Sequence, residues 1–231
     1  MKKLLGMIFA ILTTYFLFAG DAAAFVDLGF SDDCKTYVFG QYGKTDKNFQ
    51  AYSEIFCVDV EKNDFIDNGI FHASDKSGRT GKEVFEELKT KQSWFLNKYK
   101  LKSVLAESVL YIRSDSKKST TDEILFKDYE SSSKDNEIFY AIRLMPLYEG
   151  NGATTKSSFY IVLEKRLRDG SMISRKVIGN PAIKRKGVTN YAIDKIFLSP
   201  DGNGIVFLVE KTVSDSTGIS IRYMVETAKI K

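Results

Sequence analysis

Histidine, cysteine and proline are scarce in this chain of 231 residues, which has one His, two Cys and three Pro. With His72 as the sole imidazole, any Ser/His or Cys/His nucleophile system has a single available base. Zinc lacks its usual His and Cys ligands if the two thiols are bonded to each other, so no metal or other cofactor is expected. Little proline, with 17 Phe and 12 Tyr, argues against a disordered tail and for a sheet-rich core. Charge of one sign is lacking too. A formal net charge of +4 is too small to argue for nucleic acid as a partner. After Phe25 no apolar run has the length of a membrane span, so no span is expected once the leader is removed.

The leader is what the first residues supply. Lys2 and Lys3 precede an apolar run over residues 4–19, and small residues end in Ala22, Ala23 and Ala24, the three-part pattern of a secretory signal peptide. Cleavage between Ala24 and Phe25 is expected, leaving a periplasmic or secreted protein. A retained anchor is the competing reading, but the apolar run is short for about 30 Å of hydrocarbon. The expected organisation is a signal peptide over residues 1–24 and one β-rich domain over residues 25–231.

Two strand-like segments, residues 36–40 and 54–60, flank the turn-rich "GKTDKNFQ" and read as an antiparallel hairpin. In the next stretch Thr80 stands three residues before Glu83, the reciprocal capping pair of a helix start. Phe85, Leu88, Phe95, Leu96 and Tyr99 then recur at helical spacing, which predicts one amphipathic helix inserted at about residues 80–100. From Ser108 on, runs such as "IFYAIRLM", "FYIVLEKRL", "GIVFLVEK" and "ISIRYMVE" alternate with Ser, Gly and charge clusters. No helix intervenes to make parallel crossovers, so antiparallel meanders are expected. The fold class is mainly β, with propeller-like or sandwich-like sheets and one inserted helix.

The two ends echo each other. One ungapped offset lays residues 25–61 on residues 193–229, placing Ser31 on Ser199, Asp33 on Asp201, Val38 on Val206 and Phe39 on Phe207. Asp and Gly at these places favour a tight turn between strands. "LSPDGNGIVF" and, more loosely, "FSDDCKTYVF" resemble the Ser-Pro-Asp-Gly repeat of TolB-like propellers. The opening "FVDLGFSDDCKTYVFGQYGKTDKNFQAYSEIFCVDVEKNDF" and the ending "GISIRYMVETAKI" resemble a bacterial family of predicted secreted proteins of unknown function. That resemblance implies export and a β-rich fold and supplies no catalytic residue. The first copy departs from the repeat at Asp32 and Cys34, where Pro and Gly are preferred.

Little chemistry is written in the remainder. A hairpin turning near residues 45 and 46 brings Cys34 opposite Cys57, which suggests a disulfide stabilising the fold by about 3 kcal/mol. The alternative is two free thiols. "GRTGKE" is too short for a phosphate loop and reads as helix capping. Lys165, Arg166, Arg168, Arg175, Lys176, Lys184, Arg185 and Lys186 collect on one surface if their segment is a hairpin, a patch suited to an anionic envelope polymer, lipid head groups or an acidic protein. Ordinary solvated strand faces are the plainer reading. The expectation is thus a non-enzymatic binding or scaffold protein of the bacterial envelope, with a carrier of small apolar ligands as the alternative and a hydrolase third.

Overall fold

The computed structural model describes residues 21–45, 48–114, 122–216 and 218–231, so Lys2, Lys3 and residues 4–19 of the expected leader lie outside the described residues. Two residues, Asp21–Ala22, form β1, and Ala24–Phe30 form β2. β2, β3 (Thr36–Lys44), β4 (Ala51–Asp59) and β5 (Asp64–Asp75) make the first sheet, in that order and antiparallel throughout. The helical insertion follows, as α1 (Gly81–Lys91) and the short α2 (Ser93–Leu96). Thr80 and Glu83 form the capping box in full: the Glu83 N–H donates to Thr80 Oγ1 (3.2 Å), and the Thr80 N–H to Glu83 Oε2 (2.7 Å). The helix sits close because Gly40 leaves room for it. A Cβ there would lie 2.3 Å from the Phe85 ring.

The remaining strands build two more sheets. β6 (Val109–Ile112) joins β12 (Val188–Leu198), β13 (Gly204–Asp215) and β14 (Gly218–Lys229), with β1 completing the order β1-β14-β13-β12-β6. The third sheet is β10-β9-β8-β7, from β7 (Ile124–Lys127), β8 (Ile138–Glu149), β9 (Lys156–Leu167) and β10 (Met172–Ile178); the two-residue β11 (Arg185–Lys186) also pairs with β9. One pairing departs from the antiparallel expectation, since β1 runs parallel to β14. It can do so without a crossover helix because the chain enters at this edge and passes at once into β2 of the first sheet.

The sheets stack as layers. Ile205, Phe207 and Val209 of β13 pack with Ile142, Phe159 and Ile161 of the third sheet. Their neighbours Val206 and Leu208 pack with Tyr37, Phe39 and Val58 of the first sheet. Alternate side chains of a strand point to opposite faces, so a continuous apolar run here means a strand covered on both sides. Beyond the first sheet, Val38, Ile55 and Cys57 meet Phe85 and Leu88 of α1. The order is helix, sheet, sheet, sheet. This is the sandwich-like form of the expected class; the two echoing ends fall in adjacent layers, and the described residues form no ring of blades.

The echo is nevertheless physical at the two turns. Ser31 Oγ donates to Asp33 Oδ1 (2.6 Å) and accepts the Thr36 N–H (2.9 Å), while the Ser31 carbonyl accepts the Cys34 N–H (2.9 Å). Ser199 repeats each bond, with Asp201 (2.5 Å), Gly204 (2.7 Å) and Gly202 (2.8 Å). The third turn residue is left-handed in both, φ 58° at Cys34 and 68° at Gly202. A side chain in that region costs about 1 kcal/mol relative to glycine. Cys34→Gly is therefore expected to raise unfolding stability by about that amount, read as a higher urea midpoint at unchanged slope.

The expected disulfide is not formed; Cys34 and Cys57 are free thiols. The β3–β4 register explains why. Lys44 pairs with Ala51, and Cys57 stands opposite Val38, because the hairpin closes farther along than a turn at 45 and 46 requires. Cys34 sits instead in the β2–β3 turn, beside Asp201 of the matching turn. Burial alone pushes the Cys57 thiol up to about 12, as befits a packed, inert sulfur.

Candidate ligand cleft

A cleft of about 510 Å³ opens where the three sheets meet at their edges, within the size range of small-molecule sites. Its first wall is the turn from β4 to β5. Asp59 builds this turn, its Oδ1 accepting the Glu61 and Lys62 N–H groups (3.1 and 2.9 Å) and its carbonyl accepting the Asn63 N–H (2.9 Å). Asn63 is thereby held at φ 54° with its amide aimed at β14. Its Nδ2 donates to Glu226 Oε2 (2.5 Å), and its Oδ1 accepts the Thr227 N–H (2.6 Å). Those two bonds fix which way the amide points.

The second wall is β14 itself, from Met224 to Ala228. The third is the end of β10 and the loop after it. Gly179 turns at φ 89°, and a Cβ there would come 3.3 Å from the Glu226 carboxyl, so glycine keeps that carboxyl uncrowded. Asn180 then accepts the Ala182 N–H on its side-chain oxygen (2.9 Å) and the Ile183 N–H on its carbonyl (3.1 Å). This turn delivers Arg185 to β11, where it pairs with Ser157 and lies 5.2 Å from the Phe159 ring.

Glu226 is 6% exposed. Burial raises its carboxyl above the ordinary glutamate value, opposed by the Asn63 hydrogen bond and, from farther off, by the charge of Arg185. The folded state thus holds this proton more tightly than the unfolded chain does. Its contribution to stability is most favourable below the ordinary glutamate value and falls as pH rises through the raised one. Glu226→Gln keeps an acceptor for Asn63 and cannot ionise. It is expected to be more stable than the unmodified protein at about pH 8, with the difference shrinking as pH falls, measured by chemical denaturation.

Arg185 has a buried Nη1 with no hydrogen-bond partner among the described residues. Most of the other basic residues picked out in the sequence are occupied. The β9–β10 hairpin does bring them together. Lys165 pairs with Asp128 (2.9 Å), Arg166 with Glu164 (2.5 Å), Arg168 with Glu137 (2.9 Å), Arg175 with Glu164 (3.6 Å), and Lys184 with Glu149. Lys176 donates to the Lys229 carbonyl (2.8 Å), and Lys186 is exposed on β11. Of this run, Lys176 and Arg185 line the cleft.

His72 is exposed on β5, and among the described residues no group of three His, Cys, Asp or Glu side chains is arranged to hold a metal ion. Ala24 begins β2, so a cut after it removes β1. Asn63 and Glu226 were not singled out by sequence. Neither belongs to a motif, and the cue that unites them with Arg185 is a register between distant strands.

No curated protein and no solved structure matches the chain. A protein family described as "Predicted secreted protein (DUF2259)" matches residues 38–229, most of the described fold and every wall of the cleft. The chain therefore belongs to this family of predicted secreted proteins.

Proposed function

We propose that this exported protein is a non-enzymatic binding protein whose ligand site is the cleft between the β4–β5 turn, β14 and the β10–β11 loop. Family membership supports a periplasmic or secreted location, and among the described residues no helix is long and apolar enough to cross a membrane. One observation carries the reading: a cleft of about 510 Å³ with Glu226 held at its wall by Asn63 and with Arg185, whose buried Nη1 has no hydrogen-bond partner among the described residues, beside it. Buried polar groups without partners are rare in folded proteins and mark places where something else binds.

A cavity between the sheets, the alternative for an apolar carrier, has no room, since Tyr37, Phe39, Phe159 and Phe207 fill those spaces. An anionic polymer laid on the basic run would have to displace the carboxylates that already pair with it. The cleft is the better-supported site. Native mass spectrometry of the exported protein, purified without detergent, is expected to show a small-molecule adduct. Ile183→Trp, at an exposed position on the rim, is expected to abolish the adduct by filling the cleft. Bare polypeptide mass from the unmodified protein would overturn the reading.

A further inference from the structure

The Arg185 Nη1 is buried with no hydrogen-bond partner among the described residues, and the guanidinium lies 5.2 Å from the Phe159 ring. Lys211 on β13 is pulled down to about 8 by burial and then by the charge of Arg185, so the two cations already repel each other. Facing Glu226 are Glu61, Lys62 and Asp64 from the β4–β5 turn, Lys176 from β10 and Arg185 from β11. Lys62 is drawn to Asp59 (3.4 Å) and Glu61 to Lys229 (3.9 Å), whereas among the described residues neither Arg185 nor Lys176 has a carboxylate partner in an ion pair. Around these polar groups the walls are apolar, with Phe65, Ile178, Ile183 and Met224.

We propose that the cleft binds an amphiphilic carboxylic acid, its carboxylate between the Arg185 guanidinium and the Glu226 carboxyl, and its apolar body along Phe65, Ile178, Ile183 and Met224. The proposal rests on the cleft being the ligand site. A carboxylate has two oxygens, and the site offers a donor for each: guanidinium N–H groups from Arg185 and, whenever Glu226 carries its proton, the O–H of that carboxyl. Charge-assisted hydrogen bonds of this kind are the strong ones. An amine would meet Arg185 and Lys176 as like charges. A neutral apolar ligand would cover Arg185 and leave its charge unpaired, which is costly.

Glu226 also gives the binding a direction in pH. Deprotonated, it repels the ligand carboxylate and withdraws a donor, so affinity falls as pH rises through its raised value. The test is isothermal titration of the exported protein with decanoate, decylamine and decanol, at about pH 6 and about pH 8, where free decanoic acid is mostly ionised. Decanoate is expected to bind, and to bind more tightly at the lower pH. Arg185→Gln is expected to weaken it at least about tenfold with the unfolding midpoint preserved, and Arg185→Lys to restore part of the loss. Glu226→Gln, shaped like the protonated acid, is expected to bind equally at both pH values.

Preferential binding of decylamine or decanol, or decanoate affinity indifferent to Arg185→Gln, overturns the acid. If decanoate fails while the native adduct persists and is lost in Ile183→Trp, the acid falls and the cleft stands. If both the adduct and all three probes fail, the cleft falls with it.

Discussion

Phe207→Ala is expected to lower unfolding stability by about 3–5 kcal/mol and Leu208→Ala by about 2–5 kcal/mol, with the double variant near their sum. Both side chains are fully buried. They are neighbours in sequence, yet Phe207 packs with Phe159 and Ile161 of the third sheet, whereas Leu208 packs with Tyr37 and Phe39 of the first. The cavities left behind therefore lie on opposite faces of β13 and share no wall. Additivity is the informative part. Residues that share a cavity couple, whereas separated ones add to within about 0.5 kcal/mol. Ile219→Ala on the exposed part of β14 serves as the control, with an expected loss within about 0.5 kcal/mol. Urea denaturation of these four variants beside the unmodified protein decides it. A small loss from either core variant would mean that one face of the central sheet is not covered as the layers require.

What the sequence shows of this architecture is local. The helix start is legible because Thr80 and Glu83 satisfy each other's backbone within one turn, and the stripe at Phe85 and Leu88 marks the buried face. β13 is legible as a strand because "GIVFLV" is too short for a buried helix and is bounded by glycine. Even the paired turns at Ser31 and Ser199 are readable, since six consecutive residues contain all their bonds. Register is where local information stops. The Cys34 to Cys57 bridge depends on where a polar six-residue connection turns, and several turns fit that composition; the ladder set by Val38, Phe39 and Ile55 against their neighbours selects the one that separates the cysteines.

The cleft was less legible still. Its parts come from residues 58–65, 176–185 and 224–228, and each has an ordinary explanation alone: a loop Asn, one basic residue among eight, one Glu on an alternating strand. What makes them a site is that the layers end there together, leaving Glu226 buried beneath a turn and Arg185 without an ion-pair partner among the described residues. Layer order is a global property. It follows from which faces of three sheets are apolar, and only afterwards does it decide which polar residues meet.

A chain beginning at Phe25 is expected to be about 3 kcal/mol less stable than one beginning at Asp21. The four residues between them fasten the first sheet to the central one. Asp21 and Ala22 pair with Ser220 and Ile221, and the Ala23 N–H donates to the Ile221 carbonyl (3.0 Å). The Asp21 carboxylate, almost fully buried, meets Arg222 (2.5 Å) and accepts from the Tyr52 hydroxyl (3.3 Å), whose ring lies 4.4 Å from the same guanidinium. Without them Arg222 keeps its place opposite Lys211 and loses the acid that offsets it. Removing one partner of a largely buried pair costs more than the pair contributes, because a desolvated charge is left behind. Asp21→Asn separates the causes. It retains β1 and the hydrogen-bonding shape, so a loss close to the full value assigns the effect to charge, and a loss of about 1 kcal/mol assigns it to the strand. N-terminal sequencing of the exported protein shows which form the cell makes. A cut after Ala24 would yield the weaker form and uncover the β14 edge at Ser220 and Ile221. If the two chains unfold at the same urea concentration, β1 adds nothing and the cut is free of structural cost.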